Sequence, residues 1–124
     1  MSRRAAFLVA GLVGFFGIAL GAFGAHALKD VLQLHHSRVI WNTAVLYHLI
    51  HAPVLLWLAG RKIVSSLPII FFTSGILLFS GSLYALAVTD IRWLGVITPI
   101  GGLLLMAGWL WIALMLHRSE EPAS

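Results

Sequence analysis

The chain has 124 residues, of which 60% are hydrophobic and only 10% charged, where a soluble domain carries about 25% charged residues. One domain's worth of chain, residues 1–124, therefore has little water to face, and the absence of cysteine excludes disulfides, thiolate metal sites and thiol redox chemistry. The formal net charge is +4, but the basic residues stand at the ends of apolar runs, a pattern of membrane anchoring and not of nucleic-acid binding.

A hydrocarbon core about 30 Å thick needs around 20 apolar residues in a helix. The first run that meets this test extends from about Ala5 to Leu28 and contains no charge. Arg3, Arg4 and the small-residue stretch Ala25-His26-Ala27 also fit the outline of a cleavable signal peptide, but the run is far longer than an h-region of about 7–15 residues. Gly11, Gly14, Gly17, Gly21 and Gly24 recur at spacings of three and four, which places them on one helix face. Such a face lets helix backbones approach closely in lipid. Packing within one bundle is the favoured use of it, with a dimer interface as the alternative.

Lys29 and Asp30 close the first span. The stretch from Lys29 to Val39 alternates apolar and polar residues and reads equally as a short helix lying on the membrane surface or as a polar loop; His35 and His36 are expected to be solvated. The second span runs from about Ile40 to Ala59 and is the least lipid-like, holding Asn42, Thr43, Tyr47, His48 and His51. Thr43, Tyr47 and His51 follow i, i+4 spacing. Arg61 and Lys62 separate it from a third span, about Leu67 to Val88, and Asp90 and Arg92 separate that from a fourth, about Trp93 to Leu116. Pro53 and Pro99 fall within spans, where each frees a carbonyl and predicts a kink; the Thr98 hydroxyl is a local partner for the group freed at Pro99. Glycines on the third and fourth spans, Gly75, Gly81, Gly101, Gly102 and Gly108 with Ala85, offer partners for the glycine face of the first.

The expected fold is therefore all-α: a polytopic membrane protein with four transmembrane helices in an antiparallel bundle, since helices satisfy their own backbone groups in lipid. Counting Arg3, Arg4, Arg61, Lys62 and Arg118 on one side against Lys29, Arg38 and Arg92 on the other predicts N-in and C-in. Trp41, Tyr84 and Trp93 are then expected at the outer interface. In this topology His26, Asn42, Thr43, His48, Ser80, Ser82, Tyr84 and Thr98 lie in the outer half, Asn42 and Thr43 level with His26 and His48 below them, with His51 deeper. Polar groups at membrane depth turn inward, so these residues form the candidate site, with His26 as its anchor.

No acid lies inside a span. A Ser-His-Asp set cannot be assembled there, and a proton-coupled transporter usually carries an intramembrane carboxylate. His48 and His51 at i, i+3, with His26 as a third ligand, make a weak metal signal, and a histidine in a bundle can ligate haem. Hydrogen bonding between helices is the favoured use of these rings, so no catalytic residue, metal or cofactor is expected.

Three stretches carry a resemblance: Gly21-Ala22-Phe23-Gly24-Ala25-His26, Leu78-Phe79-Ser80-Gly81-Ser82-Leu83-Tyr84 and Thr98-Pro99-Ile100-Gly101-Gly102, the last followed by Gly108-Trp109. Together they resemble the YgdD and transmembrane protein 256 family, also called domain of unknown function 423. The resemblance spans nearly the whole chain. It implies a four-helix protein of the bacterial or mitochondrial inner membrane, the bacterial one being expected here, and brings no reaction, cofactor or catalytic residue with it. Its motifs fall on His26, Ser80, Ser82, Tyr84 and Thr98. The function expected is that of a non-enzymatic bundle that binds or stabilises a lipid, a quinone-like molecule, a second copy or a larger membrane complex. The alternative is a small transporter or channel with a polar vestibule in the outer half.

Overall fold

In the computed structural model, which describes residues 1–119, the chain runs α1 (Arg3–Ala25), a short α2 (Lys29–Leu34), α3 (Arg38–Ala59), α4 (Ser66–Thr89), a 3₁₀ turn (Arg92–Val96) and α5 (Thr98–Ser119). There is no strand among the described residues. Four segments are long and apolar enough to cross a membrane: α1, α3, α4, and the 3₁₀ turn with α5 over Arg92–Met115. Of these α3 has the lowest mean hydropathy, 1.4 against 1.8 to 2.3 for the others, because it carries the histidines.

The helix ends have local causes. Ser2 caps α1 by accepting a hydrogen bond from the Ala5 amide at 3.1 Å, one of the first-turn amides a helix leaves unpaired. The chain leaves α4 through Asp90 at φ 55°, a left-handed conformation that Asp tolerates better than most residues. The ambiguous segment after the first span is a helix at its start, and α1 stops at Ala25, short of Leu28. Pro99 is the second residue of α5. In a first turn its missing amide costs no helical bond, so it does not kink the span as expected. Pro53 does lie inside α3.

The spans pack as a row, α1 on α3, α3 on α4 and α4 on α5, and α1 barely touches α4. The glycine face of α1 does meet a neighbour within the chain, but that neighbour is α3 and not the third and fourth spans. A methyl group at Gly14 would touch Ala52, at Gly17 Leu49 and His48, at Gly21 Val45 and at Gly24 the Trp41 indole. Numbers rise on one helix as they fall on the other, which is the antiparallel register. The glycines of the later spans serve α4 and α5 instead, Gly75 against Leu105, Gly101 against the Phe79 backbone and Gly108 against Phe72. In each case a small residue removes the side-chain layer that keeps two helices apart.

Two apolar clusters result. The larger gathers Leu55, Leu58, Ile69, Phe72, Ile76 and Leu105, with Ala6 and Ala10 from α1. The smaller, toward the α2 end, gathers Leu32, Trp41 and Ala87. At the opposite end the Arg3 guanidinium donates to the carbonyls of Arg61 and Lys62, at 2.9 and 3.3 Å, and ties the start of α1 to the α3–α4 loop. On α3, His48 and His51 fall between the residues of the two clusters.

Candidate functional site

The buried face of α3 follows helical spacing through Trp41, Ala44, His48, His51, Leu55 and Leu58. His48 and His51 are 6% and 3% exposed. The stripe expected through Thr43 and Tyr47 is displaced from this face. Thr43 donates to the Val39 carbonyl of its own helix at 2.9 Å, and Tyr47 is exposed and lies along Phe79, ring centroids 4.4 Å apart.

His48 joins three helices. Its Nε2 lies 2.8 Å from the Val13 carbonyl oxygen of α1 and its Nδ1 lies 3.0 Å from the Tyr84 hydroxyl of α4. A carbonyl only accepts, so Nε2 carries the proton and donates. In the neutral ring Nδ1 then accepts from the Tyr84 O–H. The contact with Val13 exists because Gly17 has no side chain: a methyl group there would lie 3.2 Å from the His48 ring.

His51 is held in the other tautomer. Its Nδ1 lies 2.6 Å from the Tyr47 carbonyl oxygen, and its Nε2 accepts from the Trp109 indole N–H of α5 at 3.0 Å. Indole is a donor only, so Nε2 is bare and Nδ1 carries the hydrogen. Phe72 packs on both rings, 5.5 Å from His51 and 5.7 Å from Trp109.

The serines of α4 serve two different neighbours. Ser80 donates to the Ala44 carbonyl of α3 at 2.8 Å. Ser82 donates to the Phe79 carbonyl of its own helix at 3.0 Å, which leaves Thr98 of α5 to donate to Ser82 at 2.6 Å. Residues two apart on a helix are separated by about 200° around its axis, so Ser80 and Ser82 cannot face the same partner. Tyr84, four residues after Ser80, returns to the α3 side.

The single cluster expected from depth is thus a set of separate nodes that stitch α1 to α3, α3 to α4 and α4 to α5, with the deeper His51 and Trp109 joining α3 to α5. His48, Ser80 and Tyr84 belong to the middle of it, and Ser82 and Thr98 form the α4–α5 node. His26 and Asn42 do not join. Both are exposed, and His26 is the residue after α1, where the chain turns away. The place expected for His26 is filled by Trp41, which sits against Gly24, donates to the Leu20 carbonyl at 3.0 Å and packs at a tilt against Tyr84, centroids 4.7 Å apart. Trp41 and Tyr84 therefore face the interior and only Trp93, 65% exposed, has the outward aspect expected of an interfacial anchor.

Two further contacts were not anticipated from sequence. His35 Nδ1 and the Ser37 hydroxyl both donate to the Ala87 carbonyl, at 3.2 and 2.7 Å. Ala87 is in the last turn of α4, where carbonyls lack an in-helix amide, so the α2–α3 turn caps α4. A groove of about 260 Å³ lies between α1 and α4, lined by Val13, Phe16, His48, Thr73, Ile76 and Tyr84 among others. Thr73 Oγ1 is buried without a hydrogen-bond partner, alone in this among the described residues. No group of three His, Asp or Glu side chains among the described residues could hold a metal ion.

A family model described as "Protein of unknown function (DUF423)" matches residues 20–102. The chain is 41% identical over 111 residues to a UPF0382 membrane protein of Staphylococcus epidermidis, covering 84% of this chain and 88% of that one. It is 40% identical over 114 residues to the UPF0382 membrane protein YwdK of Bacillus subtilis, with 86% and 91% covered. It is 39% identical over 124 residues to the UPF0382 inner membrane protein YgdD of Escherichia coli, with 94% and 89% covered. No solved structure matches the chain.

Proposed function

We propose that this chain, which belongs to the DUF423 family and is a multi-pass inner-membrane protein, is a non-enzymatic bundle that binds an apolar partner within the bilayer. The observation that carries this reading is the gap between α1 and α4. Because α1 lies on α3 and barely reaches α4, the row of helices leaves a groove whose exposed walls are wholly apolar. A hydrocarbon chain seated there would cover apolar surface without stranding a polar group. A lipid-like or quinone-like compound has the matching chemistry.

The histidines favour binding over catalysis. Each ring nitrogen of His48 and His51 is already engaged by another helix or by its own backbone, and a general base or ligand needs a free lone pair. The transporter or channel reading needs a wet path, and the Ser80, Ser82, Tyr84 and Thr98 hydroxyls are engaged within the protein instead.

Native purification in mild detergent, followed by mass spectrometry of what accompanies the chain, tests the proposal. A stoichiometric amphiphile retained by the wild type and depleted in Gly81→Leu, whose side chain would enter the groove, is the expected result. A chain carrying only exchangeable bulk lipid, unchanged by Gly81→Leu, would overturn it.

We further propose that both termini lie on the cytoplasmic side. Arg3, Arg4, Arg61 and Lys62 gather at one end, and Arg3 bonds the loop that carries Arg61 and Lys62, in line with the excess of basic residues on cytoplasmic loops. A reporter active only in the cytoplasm is expected to be active when fused after Ser124 and silent when inserted in the 29–39 link. The reverse pattern would invert the topology.

A further inference from the structure

A second candidate site lies away from the bundle interior, at the end where α2 joins α1 to α3. A cleft of about 500 Å³ there is bounded by Lys29, Gln33, His36 and Arg38, with Leu32 and Val39 as its apolar walls. Its position fixes its depth. α2 connects two spanning helices, so it lies at the boundary between hydrocarbon and headgroups.

The polar lining is rich in donors. Lys29 and Arg38 are cations, Gln33 offers an amide and His36 an imidazole. Asp30 follows Lys29 in sequence but does not line the cleft. Val39, 77% exposed, stands beside the cations, and Leu34, 74% exposed, follows Gln33 on α2. Neighbouring cations and bare apolar side chains suit an amphiphile, an anionic head with a hydrocarbon tail, better than a soluble anion.

The frame is rigid. His36 is held at φ 51°, a left-handed conformation rare for residues other than glycine. The residues on either side of it, His35 and Ser37, both bond the Ala87 carbonyl, and Ser37 is 2% exposed. That clamp fixes the turn and with it the place of His36 in the cleft wall.

We propose that the cleft bounded by Lys29, Gln33, His36 and Arg38 binds the phosphodiester headgroup of an anionic phospholipid. The proposal goes beyond the groove between α1 and α4 and does not rest on it, since a bundle with an empty groove would bind lipid here equally. Clustered Lys and Arg at a membrane surface attract anionic headgroups.

The full-length chain in neutral detergent provides the test, as thermal unfolding titrated with phosphatidylglycerol, phosphatidylcholine or inorganic phosphate. Phosphatidylglycerol is expected to raise the midpoint and the other two to leave it in place. Each cation near an anionic headgroup contributes about fivefold in affinity, so Lys29→Gln with Arg38→Gln should weaken the apparent phosphatidylglycerol affinity by about thirtyfold. Removing equal charge at the opposite end, Arg4→Gln with Lys62→Gln, should not change it. If the first double variant does not fold, each single variant gives the same comparison at about fivefold. Equal weakening by the two double variants would reduce the effect to diffuse charge. An equal shift with inorganic phosphate would make the cleft a soluble-anion site, and an equal shift with phosphatidylcholine would remove headgroup selectivity. Each of these outcomes overturns the proposal.

Discussion

Gly101→Ala is expected to be the most damaging added methyl group in the bundle, lowering stability toward the upper end of the roughly 1–3 kcal/mol typical of overpacking. A Cβ at Gly101 would run into the backbone nitrogen of Phe79 and lie 2.7 Å from its Cα and 2.8 Å from the Leu78 carbonyl carbon. No rotamer can relieve a clash with backbone, so α5 must move off α4, and the Ser82–Thr98 hydrogen bond stretches with it. Gly17→Ala should cost less. Its nearest neighbours are the Leu49 and His48 side chains, which can turn aside in part. Gly11 and Gly81 meet nothing within 4 Å, and alanine there should be neutral or stabilising by about 0.5–1 kcal/mol through helix propensity. Thermal unfolding of the four purified variants in one detergent measures the order. If Gly101→Ala unfolds with Gly11→Ala, α4 and α5 do not approach to backbone contact at this point. If Gly17→Ala leaves stability unchanged but dissolves an oligomer, the α1 face is an interface between copies.

The contrast among these glycines marks what the sequence could yield. The four spans were legible because a run of about 20 apolar residues matches the hydrocarbon thickness, whereas a buried core helix is usually shorter. The glycine face of α1 was legible because spacing of three and four fixes a direction. Which helix that face meets was not, since each later span carries small residues and spacing says nothing of azimuth between helices. Depth has the same weakness. It grouped His26 with Ser80 and Ser82, yet a helix presents residues two apart to opposite neighbours, and that part was readable from the spacing alone. The place of Trp41 was not readable. Aromatic rings near a span's end are commonly interfacial, and only the antiparallel register that sets Gly24 opposite Trp41 turns the indole inward. Trp109 likewise gains its role from a residue 58 positions earlier, His51.

The two histidines of α3 should differ in a way that a spectrum can read. His48 donates through Nε2 to Val13, and His51 presents a bare Nε2 to the Trp109 indole. In ¹⁵N-labelled protein the first ring should therefore be protonated on Nε2 and the second on Nδ1, two neutral tautomers on one helix. Trp109→Phe removes the Nε2 partner, but the Tyr47 carbonyl, 2.6 Å from Nδ1, still needs a donor, so His51 should keep its tautomer and only its Nε2 resonance should shift, with His48 unchanged. Energies should follow the same geometry. His48→Phe keeps a ring but strands the Tyr84 hydroxyl, for a cost of about 1–3 kcal/mol. Tyr84→Phe leaves only the Nδ1 lone pair without a donor and should cost less. The coupling between them in a double-mutant cycle should be about 0.6 kcal/mol, with about 1.7 as the upper range for such bonds in membranes. A coupling indistinguishable from zero would mean that His48 and Tyr84 are neighbours without a bond. One shared tautomer for both rings would remove the Trp109 contact, and with it the α3–α5 node.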